Sequence, residues 1–205
     1  MRKRRVVGVI MVLTILIISA GCMQDTYDPV METALDMAYA DFSLRKLGIS
    51  VSEYIEITER HLINPERYYE EPVFGLDGVM YDVNDIRRLN EEELTNLKEY
   101  LYKSAEEAEL ADLQLMKSVL VSEVIDDINF SFKHVIVRGE NVLLGKESYV
   151  FRKYTFKQDD DKWRILTVME YVDFIEEPRM PDMMQRYLEY DGKTIEYPME
   201  IKLAE

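Results

Sequence analysis

Two histidines, one cysteine and forty carboxylates are the side chains of this 205-residue chain that could carry chemistry. His61 and His134 are the groups whose ordinary pKa lies near neutrality, so acid–base catalysis would start from one of them. His134 falls in a run of period two with Phe132 and Ile136, which puts the three on one strand face. With Trp163 on a later strand, His134 and Phe132 are the candidates for lining a pocket in which the imidazole acts as base or ligand. The alternative is a hydrogen-bonded histidine on a β surface. His61 follows Glu59 and Arg60 at a helix end, where it suits the negative end of the helix dipole.

The carboxylates invite a metal test. Residues 159–170 carry acids at the first, third and twelfth positions of a calcium loop, but Trp163 and Arg164 occupy the fifth position and the glycine position. Residues 82–93 repeat the pattern, with Ile86 and Arg87 in the wrong places. Neither is an EF-hand, and no metal and no cofactor are expected. Asp126-Asp127 has the residue types for glycoside chemistry, but in so acidic a chain such a pair is unremarkable. No G-x-S-x-G elbow, S-x-x-K, H-E-x-x-H or phosphate-cradling glycine loop occurs. No catalytic residue is therefore assigned.

Cys22 is the only cysteine, so the chain forms no internal disulfide and no multi-cysteine metal site. It closes a leader in which Arg2, Lys3, Arg4 and Arg5 precede the uncharged run 6–20 and the small residues Ser19-Ala20-Gly21. This ending resembles the lipobox of bacterial lipoproteins. The family most often has Leu, Val or Ile three residues before the cysteine, where this chain has Ser19 with Ile18 just upstream. The resemblance implies a signal peptide over 1–21, a diacylglyceryl thioether on Cys22, a lipidated tether over 22–28, and a single domain over 29–205 held outside the cytoplasm at the cell membrane. Two acyl chains are what stable anchoring needs. An uncleaved apolar anchor and an ordinary secretory signal remain alternatives, and both put the domain in the same compartment.

Removing 1–21 takes away four cations and no acid, so the formal net charge moves from −15 to −19. Such a domain repels nucleic acid and attracts cationic partners, unless the acids merely solvate the surface. The expected partners are the membrane, through Cys22, and an envelope protein.

The elements that must position these residues begin with Asp28-Pro29, an N-cap followed by proline, and the helical spacing of Met31, Leu35, Ala38 and Phe42. A helix is expected over 29–47, stopped by Leu47-Gly48. Ser50-Val51-Ser52-Glu53 is a capping box opening a second helix to His61 or Leu62. The run 66–85, with Pro72, Gly75 and Gly78, reads as a loop with at most short pieces of structure. Asn90 caps a third helix with the stripe Leu94, Leu97, Leu101, Ala105 and Ala108, extending toward Leu115. After that the period becomes two. Strands are expected over 129–137, 147–157 and 162–171, separated by Arg138-Gly139-Glu140-Asn141 and by Asp159-Asp160-Asp161. A turn of helix near 183–187 and a hairpin at Asp191-Gly192, flanked by 188–190 and 194–197, complete the chain.

Helices first and antiparallel strands afterwards predict an α+β fold, with N-terminal helices packed on a curved antiparallel sheet. The segment YVFRKYTFKQDDDKWRILTV, residues 149–168, resembles the closing hairpin of NTF2-like (cystatin-like roll) domains. That resemblance implies a roll with a C-terminal hairpin elaboration, and a family that includes enzymes, ligand carriers and association modules. The expected function is a non-catalytic binding or interaction domain. An NTF2-like pocket enzyme or small-molecule carrier, and an accessory subunit of an envelope assembly, are the alternatives. Trp163 and the tyrosines Tyr68, Tyr69, Tyr100, Tyr102, Tyr187, Tyr190 and Tyr197 are read either as core or as an aromatic contact surface.

Overall fold

The computed structural model describes residues 28–107, 116–127, 129–143 and 146–204. Cys22 and the leader lie outside them, as does the expected continuation of the third helix toward Ala108 and Leu115. The fold is α+β, with helices in the first half and a mainly antiparallel sheet in the second. Helix α1 (Pro29–Arg45) starts where Asp28 accepts a hydrogen bond from the Val30 amide at 2.8 Å, with Pro29 at its first position. It is buried on more than one side: Val30, Ala34, Met37 and Phe42 enter the main core, while Ala40 and Leu44 pack against α2 (Val51–His61). A helix apolar on so many sides belongs in the middle of a molecule.

The stop of α1 falls at Leu47-Gly48 as expected, with Leu47 rather than the glycine in the left-handed position. Leu47 takes the left-handed conformation (φ 53°), and the Leu47 and Gly48 amides donate to the Leu44 and Ser43 carbonyls in a Schellman motif. Gly48 is needed for space instead, because a Cβ there would lie 2.6 Å from the Ala204 carbonyl oxygen.

The short pieces of structure allowed in the run 66–85 turn out to fill most of it. A 3₁₀ turn (Pro65–Tyr68) leads into strands β1 (Pro72–Leu76) and β2 (Val79–Asp82), a hairpin closed by Asp77 and Gly78 with φ 51° and 80°. Positive φ at both central residues is the type I′ pattern that matches strand twist. Asp82 and Asp85 then cap the short helix α3 (Val83–Arg87) reciprocally. Helix α4 (Glu91–Glu107) opens with a full capping box between Asn90 and Glu93, and its Leu94, Leu97 and Leu101 pack with Phe74 and Ile86.

The main sheet has the order β10-β3-β5-β6-β7, with β4 also paired to β5, and it does not close into a barrel. Its strands are β3 (Ser118–Val121), β4 (Ile125–Asp127), β5 (Phe132–Leu143), β6 (Lys146–Asp159), β7 (Lys162–Phe174) and β10 (Met199–Lys202). Two expectations need correction. Arg138-Gly139-Glu140-Asn141 is not a turn but continues β5 against β6. Gly139 reads as a breaker from sequence, yet a Cβ there would meet the Met116 sulfur at 2.2 Å, so its role is close packing. The start of β5 is later than expected, since residues 129–131 form a turn with Ser131 at φ 49°. Asp160 and Asp161 close the β6–β7 hairpin, both with positive φ and without a glycine.

One sheet face presents Val135, Val137, Val150, Tyr154 and Phe156 to α1. The opposite face presents Ile136, Phe151 and Tyr171 to α5 (Pro181–Leu188) and Ile195. Strands β8 (Glu189–Tyr190) and β9 (Lys193–Thr194) form the hairpin at Asp191-Gly192. The second arm stops at Thr194, shorter than the expected 194–197. Asp173, fully buried, holds the approach to α5: its carboxylate accepts from the Tyr171 hydroxyl and from the amides of Phe174, Arg179 and Met180.

Candidate functional site

Helical spacing places Asp41 and Arg45 one turn apart on α1, facing β6 and β7, where Arg152 and Glu170 are register partners. The four charges interlock. Arg152 Nε lies 2.8 Å from Asp41 Oδ2, and Arg152 Nη1 donates to Glu170 Oε2 at 2.8 Å. Arg45 donates to both Glu170 oxygens. The Tyr154 hydroxyl donates to Asp41 Oδ2 at 2.6 Å and the Tyr54 hydroxyl to Oδ1 at 3.2 Å. Asp41 is 4% exposed and Tyr154 not at all.

Burial pushes both tyrosine hydroxyls well above their ordinary range, which keeps them protonated donors to Asp41. Burial works against the Arg152 charge, but Asp41 and Glu170 more than offset it, and the guanidinium stays charged. For Glu170, burial raises the pKa and the two guanidinium groups outweigh that, holding the carboxyl below its usual range. Two cations and two anions leave no net charge, and the adjoining space, about 20 Å³, admits a single water. This is an ionic clasp between helix and sheet, buried at Asp41 and reaching the surface at Glu170, with each carboxylate paired to a guanidinium. No local sequence signal marked Asp41, whose partners Arg152 and Tyr154 lie more than a hundred positions away.

Of the sequence-predicted site residues, His134 sits on β5 opposite Thr155 of β6 and Ile125 of β4. Its Nδ1 is 3.2 Å from Thr155 Oγ1, and its Nε2 is 3.4 Å from Asp127 Oδ2. The Asn129 amide donates to Asp127 at 2.9 Å. Burial, with Lys153 nearby, lowers the imidazole pKa, so His134 is neutral at pH 7. The chain hydroxyl–imidazole–carboxylate looks like the parts of a nucleophile relay. Thr155 and His134 are only 9% and 6% exposed, however, so substrate does not reach the hydroxyl.

Phe132 and Trp163 do come together, without His134. They line an open depression of about 490 Å³ with Phe130, Lys133 and Lys157, rimmed by Asp126 and Asp127. Phe130 stacks on Phe132 with ring centroids 6.3 Å apart and is 65% exposed. Lys133 Nζ stands 5.4 Å over the Trp163 ring, 3.2 Å from Asp126 and 3.7 Å from Asp28. Phe130 was hidden in the expected strand. The signal for it was Asn129 beside Ser131, a turn pair that lifts the intervening side chain into solvent.

His61 finds a partner on α1, Asp36, with Nε2 3.0 Å from Oδ2. The tyrosines do not assemble into one surface: Tyr187 is buried between Phe151 and Tyr171, and Tyr68 is buried in the main core. Among the described residues no group of three or more histidine, cysteine or carboxylate side chains converges as metal ligands. Comparisons with family models, curated proteins and solved structures each found no match.

Proposed function

We propose that the chain is a bacterial lipoprotein whose α+β domain acts as a non-catalytic binding module at the outer side of the cytoplasmic membrane. The observation that carries this reading is positional. The first described residue, Asp28, caps its own helix six positions after Cys22, so this helix start is satisfied locally. A diacylglyceryl group on Cys22 would leave the domain a tether of only a few residues.

The NTF2-like reading is supported by a long β6–β7 hairpin lying against the N-terminal helix. The β1–β2 hairpin, α5 and the C-terminal strands are then additions. In that reading the space between helix and sheet is taken up by the Asp41–Arg152–Glu170–Arg45 clasp, which favours a binding surface over a pocket enzyme. The test is Cys22→Ser in a bacterial host that processes lipoproteins. The variant is expected to lose labelling by a radioactive or alkyne fatty acid and to leave the membrane fraction; unchanged labelling and fractionation would refute the anchor.

A further inference from the structure

We propose that the Phe130–Phe132–Trp163 depression is the face on which the domain rests against the lipid bilayer. The aromatic rings enter the headgroup region, with Lys157 on the same face and Lys133 held over Trp163 by its carboxylates. This rests on the anchoring reading above and goes beyond it by assigning the orientation of the domain and a second, non-covalent membrane site.

Position is the first argument. Lys133 joins the depression to Asp28, the first described residue: its ammonium is over Trp163 and 3.7 Å from Asp28. Six residue-to-residue steps lead from Cys22 to Asp28, a reach of at most about 20 Å. An anchored chain therefore keeps this face within a short swing of the bilayer.

Chemistry is the second. Phe130 is the most exposed large apolar side chain among the described residues, and it stands beside the only tryptophan. Aromatic rings flanked by lysines are the combination that settles at a membrane interface, with the rings at headgroup depth and the ammonium groups extended toward water and phosphate. Charge is the third. The mature domain carries a formal −19, whereas here Lys133 and Lys157 stand against Asp126, Asp127 and the adjoining Asp28, a single excess negative charge. It is thus a weakly charged face on an acidic body, able to approach a zwitterionic surface with less repulsion than the rest of the domain meets.

One exposed phenylalanine and two half-buried rings do not hold a free protein on a membrane. A short tether changes that by raising the local concentration to the millimolar range. The face should accordingly engage lipid only when the chain is anchored.

Trp163 is its own reporter. The full chain, expressed in a lipoprotein-processing host, is reconstituted into phosphatidylcholine vesicles containing brominated acyl chains, which quench indole fluorescence on contact. The expected result is co-flotation with the vesicles, together with a blue-shifted and quenched Trp163 emission. In Phe130→Asp, whose substitution lies at an exposed turn, co-flotation should persist while the ratio of face-bound to face-free molecules falls at least about tenfold. Co-flotation with unquenched Trp163 would overturn the face assignment and leave the anchor standing, and would indicate that the depression meets a protein or a second copy instead. Quenching undiminished in Phe130→Asp would also overturn it. A chain that does not float refutes the anchor and the face together.

Discussion

Asp41 is the residue whose loss the fold should feel most. Its carboxylate accepts from two buried tyrosine hydroxyls and faces the Arg152 guanidinium, all inside the contact between α1 and the sheet. Asp41→Ala leaves a buried cation without its nearest counter-charge, and breaking such a pair typically costs about 3–5 kcal/mol. The urea midpoint should fall accordingly. Asp41→Leu combined with Arg152→Met removes both charges and is expected to cost less than the single change, because nothing is then left unpaired. A single variant as stable as the parent would show that the clasp contributes nothing. None of this was visible in the sequence, where an aspartate between Ala40 and Phe42 looks like an ordinary helix-surface acid. His134 was legible as a strand residue sharing a face with Phe132 and Ile136. That Thr155, Asp127 and Tyr190 enclose it was not, since these groups come from β6, the end of β4 and the C-terminal hairpin.

The elements show where local rules suffice. Caps at Asp28, Ser50 and Asn90 opened helices as expected, because each needs only hydrogen bonds reaching two or three residues along the chain. The two-residue turns are equally local, yet Asp77-Gly78 was passed over while Asp191-Gly192 was recognised. The difference lay in Pro72, Gly75 and Gly78, which outweighed the β-forming residues between them. Glycine misleads when its purpose is tertiary, as at Gly139 beneath Met116 and at Gly48 beneath Ala204. Gly48→Ala drives a methyl group against a backbone carbonyl that no rotamer change can move aside. The expected result is a loss of about 1–3 kcal/mol. Faster amide exchange in β10 should accompany it, because the Ala204 amide is held by Ser43 next to that carbonyl. A neutral Gly48→Ala would mean that the C-terminal segment is loosely held.

At the scale of the molecule, the shifted carboxylates and histidines bias stability in one direction. Asp127, Glu170 and Asp173 have folded pKa values below their ordinary ones, as do His61 and His134. The causes differ. The Asn129 amide leads for Asp127. For Asp173, burial acts upward and is outweighed by the Tyr171 hydroxyl and three amides. For the histidines, burial comes first. In every case the unfolded chain binds protons more readily, so stability is greatest above the unfolded pKa and is lost as pH falls. Thermal melts should therefore decline from neutrality, beginning near the histidine value of about 6.5 and steepening below the carboxylate value of about 4.5. Asp173→Asn should reduce stability at pH 7 and flatten the acid limb, since an amide cannot accept the same fan of donors and no longer titrates. An acid limb as steep as the parent's would remove Asp173 from this account.

The sequence alone determined what is encoded within a few residues: where helices begin, that strands follow helices to make an α+β fold, and how acidic the chain is. It also carries, as one contiguous string, the leader ending at Cys22 on which the anchoring proposal rests. The tertiary structure alone decided which of these pieces meet. The β5–β6–β7 register brought Arg152 and Glu170 under α1. The turn before β5 exposed Phe130 beside Trp163, and Lys133 tied that aromatic face to Asp28. Caps, turns and periodicity act over at most about four residues. A clasp whose two halves lie more than a hundred positions apart, or a surface built from four strands and a helix terminus, exists only once packing has chosen one register.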